Sequence, residues 1–449
     1  MLILRNMAEP LAGLLKDQRI REGESYRLMH YVVQQPVEEG LLLYHVMTKA
    51  IVLLSSEEAT MMQENPASVP ELVSKWFAVP QSHDDRKLAQ EVRAVGKMLQ
   101  NPVRGVKSFT ILTTTDCNAR CFYCYEKGRP RIPMLEETAL KVADFILQNR
   151  TNDQVSLRWF GGEPLYNKGV ISLICGKLKD AGVEYKSTMV SNGYLFDDET
   201  VDEAVRLWNL KKVQITLDGT EDIYNRSKAF IYTEGSPYRR VMGNIHRLLG
   251  ADIRVTIRLN IDRHNADDLL ALTEILGAEF KGEKRLNVYS HVLFEAGSED
   301  TSVQHTDTQR QELFQVRMRL QERFRELGFF RPKSLTHTLK LNRCMADNDG
   351  SILILPDGHL GKCEHFSDDH WFGHLDSPER DEAVLADFKQ LREELDACAD
   401  CAFYPDCFRL SLCEEAVHCY PEEREEMLLD ACQALIAFYQ KKQDDEVSD

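Results

Sequence analysis

The chain has 449 residues, of which 43% are hydrophobic and 28% charged, and its formal net charge at pH 7 is −17. This length allows two or three domains. The acidic charge argues against a nucleic-acid backbone as the main partner. The sequence contains no apolar run of about 18 residues that predicts a transmembrane helix, and its start lacks the features of a signal peptide. We therefore expect a cytoplasmic protein without nucleic-acid or membrane partners.

Residues 1–100 are predicted to form a small separate domain. Short alternating or apolar runs predict three strands, with a turn at Glu38–Gly40: Tyr26–Val33, Leu41–Val46 and Ala50–Leu54. Ser55 is followed by acidic residues, which is typical of a helix start. A serine side chain accepts hydrogen bonds from the free amides of the first turn, and acidic side chains interact favourably with the positive end of the helix dipole. A second helix is predicted over Pro70–Phe77.

Strand and helix signals alternate over residues 105–300. The predicted strands are Ser108–Thr113, Ser156–Phe160, Ser187–Val190, Val213–Leu217, Arg254–Ile261 and Leu286–Val292. The helices between them include Glu136–Leu147, Asp198–Leu207 and Ala266–Leu276. Six such units predict an α/β fold in which a parallel sheet curls into a partial (β/α)6 TIM-like barrel. Chemistry in such folds lies at the carboxyl ends of the strands.

A cysteine triplet follows the first of these strands. Cys117, Cys121 and Cys124 have the spacing CX3CX2C, and the aromatic Tyr123 precedes the third cysteine. Four-iron clusters are normally held by four thiolates, so a loop that supplies three leaves one iron open to a cofactor or substrate. A zinc site is the alternative, but structural zinc favours paired CX2C-type ligands.

The motif Gly161–Pro164 follows the second strand, about 40 residues after the triplet. Together with CX3CX2C, this GGEP motif resembles the radical S-adenosylmethionine (radical SAM) superfamily. That resemblance implies that Gly161, Gly162, Glu163 and Pro164 hold the amino group of SAM, with Glu163 as the hydrogen-bond acceptor for the ammonium.

Further polar residues at strand ends match positions of the same family. The third strand ends in Val190–Gly193, and the fourth ends in Ile215–Gly219. Ser191, Asn192 and Thr216 are suited to ribose or carboxylate contacts. In that family, an arginine often lies ten residues after the aspartate that corresponds to Asp218. Here that position is Lys228, and Arg226 lies two residues earlier, so the contact to the cofactor carboxylate is open between them.

Arg258 and Asn260 lie on the fifth strand with a spacing of two, so both are predicted to face the barrel interior. There they are either cofactor contacts or members of an internal hydrogen-bond network. Both alternatives stay open at the level of sequence.

Twelve cysteines without a secretion signal are expected to be metal ligands more often than disulfides. Eight of them lie between Cys344 and Cys432, and Cys175 stands alone in an apolar helical run that predicts a core position. The eight resemble the SPASM extension of radical SAM peptide maturases, which implies two auxiliary [4Fe–4S] clusters. The resemblance assigns one cluster to Cys398, Cys401, Cys407 and Cys432, and the other to Cys344, Cys363 and Cys413, with Cys419 as a candidate fourth ligand. The spacing around Cys413 and Cys419 departs from the family pattern, so their assignment is open, and a zinc ribbon is the alternative.

The domain organisation predicted from these patterns has five parts. Residues 1–100 resemble the winged-helix domains with which peptide-modifying enzymes bind leader peptides, which implies leader recognition; a cap over the barrel is the alternative. Residues 105–300 form the radical SAM barrel, 301–343 a helical linker with its main helix over Gln309–Leu327, 344–433 the SPASM domain and 434–449 an acidic tail whose end, Asp444–Asp449, is predicted to be disordered.

Glu364 directly follows Cys363, at the position where sulfatase-maturating relatives have an aspartate that acts as the catalytic base. It is our candidate catalytic base, and a surface carboxylate is the alternative. His359 and His365 in the same loop are predicted to be structural.

The resemblance implies a radical SAM enzyme with three [4Fe–4S] clusters and SAM as cofactors. The expected substrate is a ribosomally synthesised precursor peptide, the expected reductant is a protein such as flavodoxin or ferredoxin, and the first choice of product is a thioether from cysteine sulfur to carbon. Carbon–carbon crosslinking, epimerisation and formylglycine formation are alternative reactions. A non-catalytic iron–sulfur electron carrier is an alternative class, although a carrier needs no cofactor pocket.

Overall fold

The structure is a computed structural model that describes residues 1–8, 11–15, 18–99, 105–124, 126–151, 154–232, 234–293, 305–329, 334–339, 341, 344–365, 368–413 and 419–448. It divides into two compact units. The first unit contains residues 1–101, 332–344 and 391–449, and the second contains residues 102–331 and 345–390.

In the first unit, the strands of residues 1–101 are β1 Leu2–Arg5, β2 Tyr26–Leu28, β3 Val32–Val37, β4 Gly40–His45, β5 Ile51–Leu54 and β6 Ala78–Pro80. The helices are α1 Leu11–Leu14, α2 Ser56–Glu64, α3 Pro70–Ser74 and α4 Asp85–Leu99. Four strands form an antiparallel sheet in the order β1-β5-β4-β3, and β2 pairs with β6. The predicted strand Tyr26–Val33 is divided into β2 and the start of β3, because each half pairs with a different partner. Ser55 caps α2 in a reciprocal capping box with Glu58, as predicted.

In the second unit, the strands are β7 Ser108–Leu112, β8 Val155–Phe160, β9 Tyr185–Ser191, β10 Leu210–Thr216, β11 Arg254–Ile261, β12 Leu286–Val292, β13 Ser351–Ile354, β14 His359–Gly361 and β15 Gly373–His374. The helices are α5 Glu136–Asn149, α6 Lys168–Asp180, α7 Asp198–Arg206, α8 Glu221–Lys228, α9 Pro237–Gly250, α10 Ala266–Glu279, α11 Asp307–Glu326 and α12 Glu382–Asp387.

These strands form one nine-stranded sheet, in which β7 to β12 lie side by side in chain order and parallel. All six predicted strands are confirmed. Neighbouring strands follow each other in sequence, so the loops after β7, β8 and β9 meet at one edge of the sheet. On the other side of β7, the sheet continues through the parallel strand β13 and the hairpin of β14 and β15.

Two parts of the predicted organisation differ from the structure. Within the predicted linker 301–343, helix α11 buries Leu313, Leu320 and Phe324 in the same hydrophobic core as the parallel sheet. It therefore belongs to the second unit. The remaining linker residues 301–304, 330–333, 340, 342 and 343 lie outside the described residues. Helix α11 is polar overall but has an apolar stripe, and such a stripe must pack against a partner surface. This explains why the helix joins the core and does not form a linker.

The C-terminal region also differs from the prediction. The cysteine-rich segment 344–433 does not stay together: residues 345–390 pack with the parallel sheet, whereas residues 391–449 pack with residues 1–101. The predicted disordered tail continues helix α13 Pro421–Ser448. Leu435 and Tyr439 of α13 are buried in a core shared with Tyr31 and Leu42 of the N-terminal sheet, and this burial supports the helix in spite of its acidic end.

Candidate active site at the strand ends

The cysteine triplet lies on the loop after β7, and the three side chains are partly buried. Two N–H groups point at the first sulfur: the Ala119 amide is 3.4 Å from Cys117 Sγ, and Asn192 Nδ2 is 3.7 Å from it. Hydrogen bonds to sulfur are characteristic of iron–sulfur sites and help to set their potential. Burial raises the pKa of the Cys117 thiol to about 12, so a bound metal ion would be required to keep it as a thiolate at neutral pH.

The two glycines after β8 allow close packing against the cysteine loop. The amides of Gly162 and Glu163 donate to the carbonyls of Thr114 and Asp116, each at 3.0 Å. A Cβ atom on Gly161 would lie 2.2 Å from the Thr114 carbonyl oxygen, and Gly161 has φ +127°. A Cβ atom on Gly162 would lie 2.4 Å from the Asp116 carbonyl oxygen. Only glycine fits both positions, so the GG pair couples the cysteine loop to the next strand.

Glu163 is fully buried and joins the loop after β8 to the end of β9. Its Oε1 accepts hydrogen bonds from the Leu165 amide at 3.1 Å and Ser191 Oγ at 2.9 Å, and its Oε2 accepts from the Asn192 amide at 2.8 Å. Burial raises the pKa of Glu163 to about 7 against the lowering effect of these donors. A carboxylate has about four acceptor positions, so capacity for a further donor remains. Pro164 begins the 3-10 helix that Glu163 caps.

A buried triad of Tyr123, Asp218 and Lys228 supports the cysteine loop from the other side. Lys228 Nζ is 2.9 Å from Asp218 Oδ2 and donates to the Tyr123 hydroxyl at 2.7 Å, while that hydroxyl donates to Asp218. The Lys228 carbonyl accepts the Arg120 amide at 2.9 Å. Burial disfavours the ammonium, but the adjacent Asp218 carboxylate outweighs it and raises the pKa of Lys228. The ammonium of Lys228 is thus engaged within the protein, whereas Arg226 is exposed.

Arg258 and Asn260 lie on one face of β11, as the spacing of two predicts. Arg258 Nε donates to Asn260 Oδ1 at 2.8 Å, and the Asn260 amide lies 3.3 Å from Asp218 Oδ1. Thr216, the last residue of β10, pairs in register with Arg258. These three residues therefore belong to the same strand-end region as the Tyr123–Asp218–Lys228 triad.

Glu364 is a buried carboxyl group in the turn after β14, with 8% of its surface exposed. Its Oε1 lies 3.9 Å from Arg158 Nη2, and its buried Oε2 has no hydrogen-bond partner within the described part of the chain. A buried unsatisfied oxygen is costly, which makes Glu364 a candidate for contact with a bound group. His359 lies 3.0 Å from Asp357 and packs on Trp371, whereas His365 is exposed.

Nine of the cysteines are free thiols: Cys117, Cys121, Cys124, Cys175, Cys398, Cys401, Cys407, Cys419 and Cys432. Cys175 is fully buried in the core, as predicted. In the first unit, burial raises the pKa of Cys401, and the nearby thiols of Cys419, Cys407 and Cys398 add to the effect. Only burial raises the pKa of Cys432, whose sulfur lies 3.9 Å from the Gln34 carbonyl oxygen. The surroundings of Cys401 therefore include Cys419, which the family pattern does not place with it.

The remaining cysteines of the C-terminal region are divided between the units: Cys344 and Cys413 lie in the first unit, and Cys363 lies in the second. Among the described residues, no three His, Cys, Asp or Glu side chains stand together as a preformed metal site. Ligands of many metal sites converge only on metal uptake.

Two residues of the strand-end region have contacts that the sequence alone did not indicate. The carboxylate of Asp218 joins Tyr123 to Lys228, and its only sequence signal is the ten-residue interval to a lysine. Arg158 approaches Glu364 from β8. Its two-residue spacing from Phe160 places it on one face of the strand, but its acidic partner is about 200 residues away in sequence.

Comparison with protein families gives a match to the Radical SAM superfamily over residues 111–276. Among curated proteins, a GTP 3′,8-cyclase of Nitrobacter winogradskyi is 25% identical over 292 residues, which are 58% of this chain and 82% of that protein. The sporulation killing factor maturation protein SkfB of Bacillus subtilis is 26% identical over 168 residues, 37% of this chain and 38% of SkfB. The matches span about half of the length of several relatives, from 41% to 52%.

Among solved structures, SuiB of Streptococcus suis bound to its precursor peptide SuiA superposes with a TM-score of 0.51 and 11% identity. The match covers 85% of this chain and 94% of SuiB. The enzyme anSMEcpe with bound AdoMet superposes with a TM-score of 0.54 and 13% identity, covering 74% of this chain and 98% of that one. At these identities, the two structures establish a shared fold. None of the helices within the described ranges has the length and apolar character needed to cross a membrane.

Proposed function

We propose that this chain, whose residues 111–276 match the Radical SAM superfamily, modifies a ribosomally synthesised precursor peptide by forming a thioether between a cysteine sulfur and a carbon atom. The observation that carries the proposal is the strand-end site. There the triplet loop, the GG pair and Glu163 are joined by direct hydrogen bonds. An electron carrier does not need these contacts around a three-cysteine loop, so the arrangement favours an enzyme over a carrier.

In this proposal, Cys117, Cys121 and Cys124 would hold a [4Fe–4S] cluster. When bound, that cluster would supply an electron for the reductive cleavage of SAM, and the resulting 5′-deoxyadenosyl radical would take a hydrogen atom from the substrate. The chain's own residues orient the cofactor. Glu163 accepts a hydrogen bond from the ammonium of SAM at its remaining acceptor position. Contacts to the ribose or carboxylate of SAM come from Ser191, Asn192 and Thr216.

The carboxylate of SAM needs a cation, and the structure favours Arg258 over Lys228 for this contact. Because Lys228 is paired with Asp218, its ammonium supports the cysteine loop. Arg258 stands beside Thr216 at the strand ends and offers further guanidinium donors. We propose that Arg258 meets the cofactor carboxylate and that Asn260 orients it.

Thioether formation removes two hydrogens from the peptide: one atom leaves with the 5′-deoxyadenosyl group, and one proton and one electron leave as the carbon–sulfur bond forms. In the proposal, Glu364 takes the proton, since its buried Oε2 has no protein partner in the described chain. The electron requires an acceptor, and the C-terminal cysteines would hold the auxiliary clusters that accept it. The proposed ligands of the site in the first unit are Cys398, Cys401 and Cys407 with Cys432 or Cys419.

The peptide substrate is supported by the extent of the SuiB match, which covers 85% of this chain and so includes residues outside the parallel sheet. Residues 1–101 are the proposed recognition domain for the leader, with their antiparallel sheet as a platform for strand addition. Formylglycine formation is the second candidate, because anSMEcpe shares the fold and has been solved with a bound peptide.

The test is an anaerobic assay of the reconstituted holoenzyme with SAM and reduced flavodoxin. Three substrates are compared: a cysteine-containing precursor encoded beside this gene, a sulfatase-derived cysteine peptide, and GTP. A precursor mass lower by two hydrogens, with the lost hydrogen found in 5′-deoxyadenosine, is the expected result. Oxidation of the sulfatase peptide to an aldehyde would support the second candidate, and conversion of GTP without action on either peptide would refute a peptide substrate.

A further inference from the structure

One face of helix α4 is directed at the C-terminal cysteine segment of its own unit. Arg86, Gln90 and Arg93 follow at intervals of four and three residues, so they share one face of the helix. Arg86 Nε donates to Glu394 Oε2 at 2.9 Å, and Gln90 Nε2 donates to Glu394 Oε1 at 3.0 Å. The Tyr404 hydroxyl also donates to Glu394. The face therefore contacts the segment on both sides of the CX2C pair.

Arg93 makes the most specific of these contacts. Its Nη1 donates to the backbone carbonyl oxygens of Tyr404 at 2.6 Å and Cys407 at 2.7 Å. Its guanidinium carbon lies 4.8 Å from the centre of the Tyr404 ring, within the range of a cation–π contact. One side chain of residues 1–101 thus binds the backbone of a cysteine that is more than 300 positions later in the chain.

A second cation holds the same turn. Lys49 is 1% exposed, and its Nζ lies 2.8 Å from Asp406 Oδ2. The backbone hydrogen bonds within the segment from Cys398 to Cys407 join residues three positions apart, such as Cys401 to Cys398 and Cys407 to Tyr404. Such local turns do not fix the position of the segment within the unit, whereas Arg93 and Lys49 bind its backbone and its Asp406 side chain from residues 1–101.

We propose that Arg93 is a positioning residue for a metal cluster on the Cys398–Cys407 loop, and that residues 1–101 act as the template on which this loop assembles. This rests on the proposed function, in which these cysteines hold an auxiliary cluster. By fixing the Cys407 carbonyl, Arg93 sets the position of the Cys407 thiolate relative to Cys398 and Cys401. Its positive charge beside a negatively charged cluster also raises the cluster's reduction potential. The N-terminal domain therefore has a role in cluster assembly in addition to any role in peptide binding.

The test uses the full chain in a Cys117→Ala/Cys121→Ala/Cys124→Ala background, so that all remaining iron belongs to the other cysteines. Arg93→Met removes both carbonyl contacts, and Arg93→Lys keeps the charge but loses the planar fork. Lys87→Met is the matched control, because Lys87 is an exposed cation of the same helix. Iron and sulfide content and the EPR midpoint potential are measured after reconstitution. Arg93→Met should lose about four of about eight irons, and Lys87→Met should lose none. Arg93→Lys keeps the charge and should keep the iron, but the loss of the two carbonyl contacts should displace the Cys407 thiolate and so shift the potential.

A Cys398→Ser/Cys401→Ser/Cys407→Ser variant in the same background tests separately whether the auxiliary cluster exists and whether Arg93 positions it. If this variant keeps all its iron, the auxiliary cluster itself is refuted. If it loses iron while Arg93→Met keeps both iron content and midpoint potential, the role of Arg93 is refuted and the proposed function stands. If circular dichroism shows that Arg93→Met is unfolded, the Arg93→Lys variant tests the role of Arg93 by itself. A midpoint potential identical to that of Lys87→Met would then overturn the inference.

Discussion

The two cysteine loops of this protein are stabilised in different ways. The Cys117–Cys124 loop is held by backbone amides of the adjacent strand end, through Gly162 and Glu163. The Cys398–Cys407 loop is held by long charged side chains from a distant part of the chain, through Lys49 and Arg93. The first arrangement follows from the order of strands in a parallel sheet, and the second depends on residues of the same unit that are more than 300 positions away in sequence. A motif can therefore be complete in sequence while its structural support is remote.

The largest effect is expected when the first loop loses its ligands. Cys117→Ala, Cys121→Ala and Cys124→Ala together should abolish 5′-deoxyadenosine formation and remove about four of about twelve irons. The second loop should keep its iron, because its supports lie in the other unit. Iron analysis and chromatography of the SAM cleavage products give both readouts. Residual 5′-deoxyadenosine in the triple variant would show that the catalytic assignment is wrong.

The triad behind the first loop is the next largest contribution. Lys228→Met should destabilise the protein by about 3–5 kcal/mol, because it leaves Asp218 as an unpaired buried charge. Chemical denaturation is the measurement, and Lys211→Met, which changes an exposed lysine, is the control. Adding Asp218→Asn to Lys228→Met should restore part of the loss. No recovery in the double variant would mean that the ion pair is not the source of the effect.

Glu163 tests whether the first loop's support also binds the cofactor. Glu163→Gln should weaken SAM binding about tenfold or more, since a charge-assisted hydrogen bond contributes roughly 1.5–3 kcal/mol. Iron content should be unchanged. Calorimetry with the reconstituted enzyme measures the affinity, and Glu184→Gln provides a control at an exposed position. Equal affinity in both variants would leave Glu163 with a structural role only.

The unit that carries the second loop should show a distinct acid sensitivity. His45 is fully buried, and burial lowers its pKa to about 4. Its folded pKa lies below the unfolded value, so its contribution to stability is complete above about pH 6.5 and declines by about 1.4 kcal/mol per pH unit below it. His45→Gln should remove this part of the pH dependence in denaturation experiments, whereas His246→Gln, at an exposed histidine, should not. Parallel pH profiles of wild type and His45→Gln would contradict the assignment.

The same contacts predict the effect of removing residues 1–100. That deletion would remove the core partners of Leu435 and Tyr439 as well as Lys49 and Arg93. We expect truncation to cost the C-terminal iron, which iron analysis of the truncated chain would measure.

Much of the second unit was determined by the sequence alone. The six parallel strands, the positions of CX3CX2C and GGEP at strand ends, and the shared face of Arg258 and Asn260 follow from short-range patterns. Strand, helix and face assignments rest on patterns that repeat every few residues, and the two motifs are short and contiguous. A parallel sheet with sequential strands then brings consecutive loops together by its topology.

Other features were decided only by tertiary structure. The sequence could not indicate that Lys228 pairs with Asp218, that α11 packs into the core, or that residues 391–449 join residues 1–101. It could not reveal the contact between Arg93 and Cys407 either. Neither the ion pair of Asp218 and Lys228, ten residues apart, nor the carbonyl contact of Arg93 and Cys407, more than 300 residues apart, follows from a periodic pattern. They form because the fold buries charged and polar groups together, where each must find a partner.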